Sequence, residues 1–223
     1  MSKDITLFPL PEIEEAHDTM SGVVREIFEE TSIQVEDDIT SIETSLNHEQ
    51  RYAYDCILSS VASNSGGVFF VDGPGGTGKT FLYKALLAAV RSNRKIAIAT
   101  ATSGVAASIL PGGRTAHSRF KIPLNIQDGA VCSFTKQSGI AKLLQQASLI
   151  LWDEATMTKR QAIEALNKSM RDIMDKSNLP FGGKTVVFGG DFRQVLPVVR
   201  KGTRAQIINA TLRRSYLWDS MQQ

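Results

Sequence analysis

Eight consecutive residues, Gly73, Pro74, Gly75, Gly76, Thr77, Gly78, Lys79 and Thr80, constrain this chain more than any other stretch. They stand between a short apolar run, Gly67 to Asp72, and a segment from Thr80 to Arg91 whose apolar residues recur at helical spacing. A brief continuous apolar run reads as a strand buried on both faces, the pattern of a parallel sheet. A Gly-x-x-x-x-Gly-Lys-Thr loop leading from such a strand into a helix has the form that cradles phosphates. Its glycines let the backbone approach a ligand closely, and its N–H groups and the following helix start face an anion. Lys79 can reach the β and γ phosphates of ATP, and the Thr80 hydroxyl can ligate Mg²⁺. The nucleotide-binding set is therefore Gly73, Gly75, Gly76, Thr77, Gly78, Lys79 and Thr80. A glycine-rich turn without function is the competing reading, and the complete motif in its strand-to-helix setting argues against it.

The rest of the chain keeps the same rhythm. Strands are predicted at Lys95–Thr100, Ser148–Trp152 and Thr185–Phe188, and helices at Ser103–Leu110, Ile140–Gln146 and Lys159–Lys176, with an irregular Gly/Pro stretch after Leu110. Ahead of the first strand, Asn47 with Gln50 three residues on forms a capping box, followed by an apolar face at Tyr54, Ile57, Leu58 and Val61. Alternating strands and helices around the phosphate loop predict an α/β fold of the P-loop NTPase kind. Its sheet is doubly wound and mostly parallel, with helices on both faces and ligands at the carboxyl ends of the strands. The length, 223 residues, suits one such domain rather than two.

Two more strand ends carry chemistry. Leu149 to Trp152 runs into the adjacent carboxylates Asp153 and Glu154. Mg²⁺ prefers hard oxygen ligands and keeps several waters, so Asp153 suits the metal, while Glu154 suits orienting and deprotonating an attacking water. Two acids at a strand end also cap helices, and the upstream phosphate loop is what favours catalysis. Trp152 is expected to pack. The third strand ends in Gly189, Gly190, Asp191, Phe192, Arg193 and Gln194. Gln194, donor and acceptor at once, can bond a γ-phosphate or its water, and Asp191 can support the metal.

Thr100, Thr102, Ser103 and Gly104 form a strand-to-helix turn with hydroxyls and N–H groups suited to phosphate oxygens and without a lysine of its own. The loop from Arg114 to Phe120 mixes cations and hydroxyls with one aromatic. There Thr115, His117 and Ser118 suit a nucleic-acid backbone and Phe120 a stacked base. For His117 and Phe120 a packed-loop role stands equally open.

The net charge of +2 hides a split: residues 1–45 carry −10 and residues 46–223 carry +12. The basic part fits a polyanionic partner, single-stranded DNA among them. The acidic part reads as a flexible or docking arm with one helical stretch, Gly22 to Glu30, either solvated or masking the basic surface. Cys56 and Cys132 lack metal-ligand spacing and are read as unpaired. No apolar run reaches the ~18 residues of a membrane span and no secretory leader is evident, so no membrane partner is expected and an intracellular place is.

These motifs, with Leu46 to Gln50 ahead of them and Thr115 to Ser118 among them, follow the order of the motor motifs of superfamily-one helicases. The chain most resembles the petite integration frequency (PIF) family and the similar helicase part of Helitron transposons, as written in plants, over about Leu46 to Trp218. The resemblance implies ATP-driven 5′-to-3′ movement on single-stranded DNA in repair, recombination or telomere and genome maintenance, in the nucleus or the mitochondrion. It implies that Gln50 reads the adenine edge and that Thr100–Ala107 and Thr115–Ser118 contact DNA. A small wedge-type insertion would lie at about 120–138. It also implies a second RecA-like domain with arginine fingers, expected to be absent here, so that this monomeric unit binds ATP but hydrolyses it weakly. A P-loop ATPase of another class, or a transposon-derived remnant that binds nucleic acid without catalysis, are the alternatives.

Overall fold

A computed structural model of the protein describes residues 22–34 and 39–223. The chain enters through α1 (Gly22–Thr31), α2 (Ile39–Thr44) and α3 (His48–Ser63). Asn47 caps α3 with the reciprocal capping box its sequence predicts, and Asn64 closes the helix in the left-handed region. There follow β1 (Gly67–Asp72), α4 (Lys79–Ser92), β2 (Ile96–Ala101), α5 (Gly104–Ile109), β3 (Arg114–Thr115) and α6 (Ala116–Arg119). The second half holds α7 (Gly139–Gln146), β4 (Ala147–Asp153), α8 (Arg160–Ile173), β5 (Thr185–Gly190), α9 (Arg204–Asn209) and β6 (Met221–Gln222).

The six strands form one sheet in the order β3-β2-β4-β5-β1-β6, every neighbouring pair parallel. Side chains alternate across a strand, and here the alternation separates two cores. Val68 and Phe70 of β1, Ile98 of β2, Ile150 and Trp152 of β4 and Val186 and Phe188 of β5 face α7 and α8. Phe69, Ala97, Ala99, Leu149, Leu151 and Val187 face α3 and α4 instead. Each fully buried Leu, Ile or Phe contributes about 1.5–3 kcal/mol, so two cores on one sheet make it the rigid part of the molecule.

Strand β5 runs two residues past its predicted end, to Gly190, and α8 stops at Ile173, three residues short of prediction. The Gly/Pro stretch contains β3 and α6, and α9 and β6 had no signal in the periodicity. Between α6 and α7 the chain forms no further helix or strand. Ile122 and Cys132 are buried there, and the Cys132 N–H donates to Ser169 Oγ at 2.9 Å. That bond fastens the segment expected to hold a wedge-type insertion, about 120–138, to α8. Both cysteines are free thiols.

Candidate functional site

The order β4-β5-β1 places three strand ends side by side, because Asp72 pairs with Gly190 and Trp152 with Phe188. The residues just beyond those ends meet in a cleft of about 420 Å³. It is lined by Gly75, Gly76, Gly78, Lys79 and Thr80 from the phosphate loop, Asp153 at the end of β4 and Glu154 just after it, and Asp191 and Gln194 after β5. A larger hollow of about 570 Å³ lies against α8, with Lys168, Arg171, Asp172 and Asp175 on its walls. It holds mixed charges and none of the loop, so chemistry belongs to the smaller cleft.

Gly78 caps α4 at φ +82°, and a Cβ there would stand 2.5 Å from Gln50 Nε2. The position needs glycine for both reasons. Lys79 opens α4, and its ammonium donates to the carbonyl oxygens of Gly73 and, at 3.0 Å, Pro74. Thr77 Oγ1 donates to Pro74 O at 2.9 Å, and Gly73 N–H to Gly190 O at 3.3 Å. The loop is therefore braced by its own polar groups and by β5.

Burial raises the Asp153 carboxyl above its ordinary range, opposed by the Glu154 N–H, which donates to Oδ1 at 2.8 Å, and by the charge of Lys79. Asp191 is held lower by the Arg193 N–H at 2.9 Å, and its Oδ1 also accepts from Arg193 Nε at 3.2 Å. That use of Asp191 by Arg193 limits its role as metal support. Among the described residues no group of three acid, His or Cys side chains gathers as a metal cage. One hydroxyl, Thr80, and one carboxylate, Asp153, on the same cleft fit Mg²⁺, which is usually held by one or two protein oxygens together with substrate phosphates.

Gln50 sits beside the phosphate loop, with its Oε1 accepting from Asn47 N–H at 3.1 Å and its Nε2 donating to Thr77 O at 3.2 Å. A second hollow of about 320 Å³ on that side of the loop is lined by Asn47, Gln50, Tyr52, Pro74 and Thr77.

The nucleic-acid set divides. Ala101 pairs with Thr115 across β2 and β3, so the Thr102–Gly104 turn and the Thr115–Ser118 turn adjoin at one sheet edge. Gly104 and Ser118 are exposed, Ser103, Thr115 and His117 half-buried, and burial holds the His117 imidazole below its usual range. Three members are corrected. Phe120 is 0% exposed, its ring 5.8 Å from Trp152, because it completes the core under β2 and β4 and so has no face for a base. Thr100 is also fully buried, its hydroxyl donating to Leu151 O at 2.7 Å, since it points into the sheet rather than out of its edge. Thr102 is turned inward too, with its hydroxyl donating to Glu154 O at 2.7 Å and accepting from Trp152 Nε1 at 3.0 Å.

The loop cations are engaged. Glu29 of α1 accepts from Arg114 at 2.6 Å, Glu26 from Arg119 at 2.9 Å, and Glu30 contacts both Arg119 and Arg91. Arg119 is 2% exposed. These pairs hold the helical part of the acidic arm against the basic loop; residues 1–21 and 35–38 of the arm lie outside the described residues. Sequence reasoning also missed Tyr83, whose buried hydroxyl has no hydrogen-bond partner among the described residues and whose charge environment includes Asp153. Nothing separates it in the sequence from its core-forming neighbours on α4.

A family model described as PIF1-like helicase matches residues 45–223. The chain belongs to the PIF1-like helicase family. Among its relatives, the ATP-dependent DNA helicase Pif1 of Bdellovibrio bacteriovorus is 33% identical over 168 residues, covering 73% of this chain and 35% of that protein. The ATP-dependent DNA helicase PIF4 of Trypanosoma brucei brucei is 29% identical, covering 68% of this chain and 18% of its own length. Among solved structures, Bacteroides Pif1 in complex with ADP-AlF3 and single-stranded DNA superposes with a TM-score of 0.63 at 25% identity, over 79% of this chain and 40% of that one. Pif1 helicase from Candida albicans gives 0.60 at 26% identity, over 80% and 38%. The PIF1-like chain thus spans between 18% and 35% of the length of these two curated relatives. Its sheet is that of the solved Pif1 helicases.

Proposed function

We propose that this chain is an ATP-hydrolysing motor unit of a DNA helicase that moves 5′ to 3′ along a single strand. The observation that carries this reading is the convergence of Lys79, Thr80, Asp153, Glu154 and Gln194 on one cleft. Lys79 exchanges its loop carbonyls for the β and γ phosphates, and Gln50 meets the adenine edge from the neighbouring hollow. Thr80 and Asp153 would hold Mg²⁺, which would supply charge neutralisation at the phosphates. Glu154 takes a proton from the attacking water, and Gln194, close enough that a Cβ on Gly75 would lie 3.2 Å from its Nε2, senses the γ-phosphate. The strand runs along the edge formed by Ser103, Gly104, Thr115, His117 and Ser118.

Lys79 is the one cationic side chain among the described residues lining the cleft. An arginine brought in by another domain is worth about 10³-fold or more in phosphoryl transfer. The unit alone is therefore proposed to bind ATP and turn it over slowly, a second RecA-like unit supplying the missing charge.

The test is ATP turnover by this chain with and without single-stranded DNA, using Lys79→Ala as the blank. A Lys79-dependent rate that rises with DNA supports the reading. DNA-independent turnover points to a P-loop ATPase of another class, and absence of labelled-ATP binding overturns it.

A further inference from the structure

The Glu154 carboxylate is tethered rather than free in the cleft. Ser103 Oγ donates to Glu154 Oε2 at 3.1 Å. The same Ser103 oxygen accepts from the Ala106 N–H at 3.1 Å, as the N-cap of α5. A hydroxyl has one proton and two lone pairs. With a lone pair given to Ala106, its proton goes to the carboxylate, which fixes the direction of the bond.

The preceding residue holds the backbone of the same site. Thr102 N–H donates to Asp153 O at 3.0 Å, and Thr102 Oγ1 donates to Glu154 O. Glu154 itself lies at φ 54°, ψ 34°, a left-handed conformation uncommon for a residue with a side chain. Such conformations persist where neighbours over-determine them. Here the neighbours are two hydroxyl residues just after β2, a strand that carries no part of the phosphate loop. Among the described residues no donor is bonded to Glu154 Oε1.

We propose that Ser103 is a positioning residue for the general base. It anchors Oε2 so that Oε1 alone faces the attacking water. As the water oxygen bonds the γ-phosphorus and the bond to the bridging oxygen breaks, with its electron pair leaving on ADP, Oε1 receives the water's proton. Because the anchoring hydroxyl also caps α5, the base and that helix share one fixed point. The inference rests on the reading of Glu154 as the base.

Single-turnover ATP hydrolysis in the presence of single-stranded DNA, ATP Kd and Tm are measured for the wild type and for Ser103→Ala, Ser103→Thr, Ser103→Asp and Glu154→Gln. Ser103→Ala is expected to lower the hydrolysis rate about tenfold or more with little change in ATP Kd, the mark of an interaction spent on the chemical step. Ser103→Thr restores the hydroxyl and the rate. Ser103→Asp remains a good helix cap but has no proton to donate, so it stays slow. The proposal is overturned if Ser103→Ala hydrolyses at the wild-type rate while Glu154→Gln is inactive, or if Ser103→Asp is as fast as the wild type. If Glu154→Gln itself matches the wild type, the reading of Glu154 falls first and the inference falls with it.

Discussion

Gln50 Nε2 donates to the carbonyl oxygen of Thr77 at 3.2 Å, so the first turn of α3 is tied to the phosphate loop before any nucleotide arrives. The same amide closes the capping box on Asn47. Gln50→Ala removes both bonds at once. Helix capping of this kind is worth about 0.5–2 kcal/mol, and a loosened loop is expected to weaken ATP binding about tenfold. Thermal melting and nucleotide titration check the two effects separately. ATP affinity equal to wild type would show that neither the brace nor the proposed adenine contact of Gln50 bears on the site.

Phe120 is a core residue against Trp152, not a stacking platform. Phe120→Ala is expected to cost about 3–5 kcal/mol of stability, as for other buried aromatics. Phe120→Leu should keep most of the stability and all of the single-strand affinity. A selective loss of DNA binding in the leucine variant, with an unchanged melt, would restore the stacking role.

The Tyr83 hydroxyl is buried without a hydrogen-bond partner among the described residues, and a Cβ on Gly189 would stand 1.7 Å from it. An unsatisfied buried hydroxyl costs about 1–3 kcal/mol, so Tyr83→Phe should raise Tm. Gly189→Ala should be strongly destabilising alone and partly rescued by Tyr83→Phe, a coupling that a double-mutant cycle measures. A lower Tm for Tyr83→Phe would mean that the hydroxyl is satisfied by a buried water.

The docking of α1 should respond to charge and acid. Glu30 and Arg119 are nearly inaccessible, so Glu30→Ala leaves a buried cation short of a partner and is expected to destabilise by about 3 kcal/mol. Glu29 is half-buried at the rim of the same cluster. Burial pushes its carboxyl up, but Arg25 and Arg114 together hold it below the ordinary value of 4.5. A folded-state value below the unfolded one gives stabilisation that is present above about pH 4.5 and lost as pH falls through the folded value. Proteolytic sensitivity of α1 should rise in that acid window, and Glu29→Gln should flatten the dependence. An unchanged acid profile in that variant would place the response elsewhere.

Much of the site was legible because its signals are local. The phosphate loop, the acids after β4 and the capping box at Asn47 each lie within a few residues, and their backbone geometry follows from glycine, from strand alternation and from cap chemistry. Gln194 was legible only through its place after a third strand. Tyr83 gave no signal, since its neighbours on α4 are equally buried. Thr100 and Thr102 were misplaced, and Phe120 was left undecided, because hydroxyl-rich and aromatic loop compositions look alike whether they face a ligand or a core.

By itself the sequence determined the α/β class, the phosphate loop and the order of the motifs, since these depend on periods of two and about 3.6 residues and on contiguous chemistry. Only the tertiary structure decided which side chains of those motifs turn inward, that Ser103 holds Glu154, and that the carboxylates of α1 occupy Arg114 and Arg119. The physical reason is the separation along the chain. Ser103 and Glu154 meet because β2 pairs with β4, and Glu30 meets Arg119 because α1 packs against α7 and β2. Such contacts are chosen by the burial of whole faces, which no local pattern encodes.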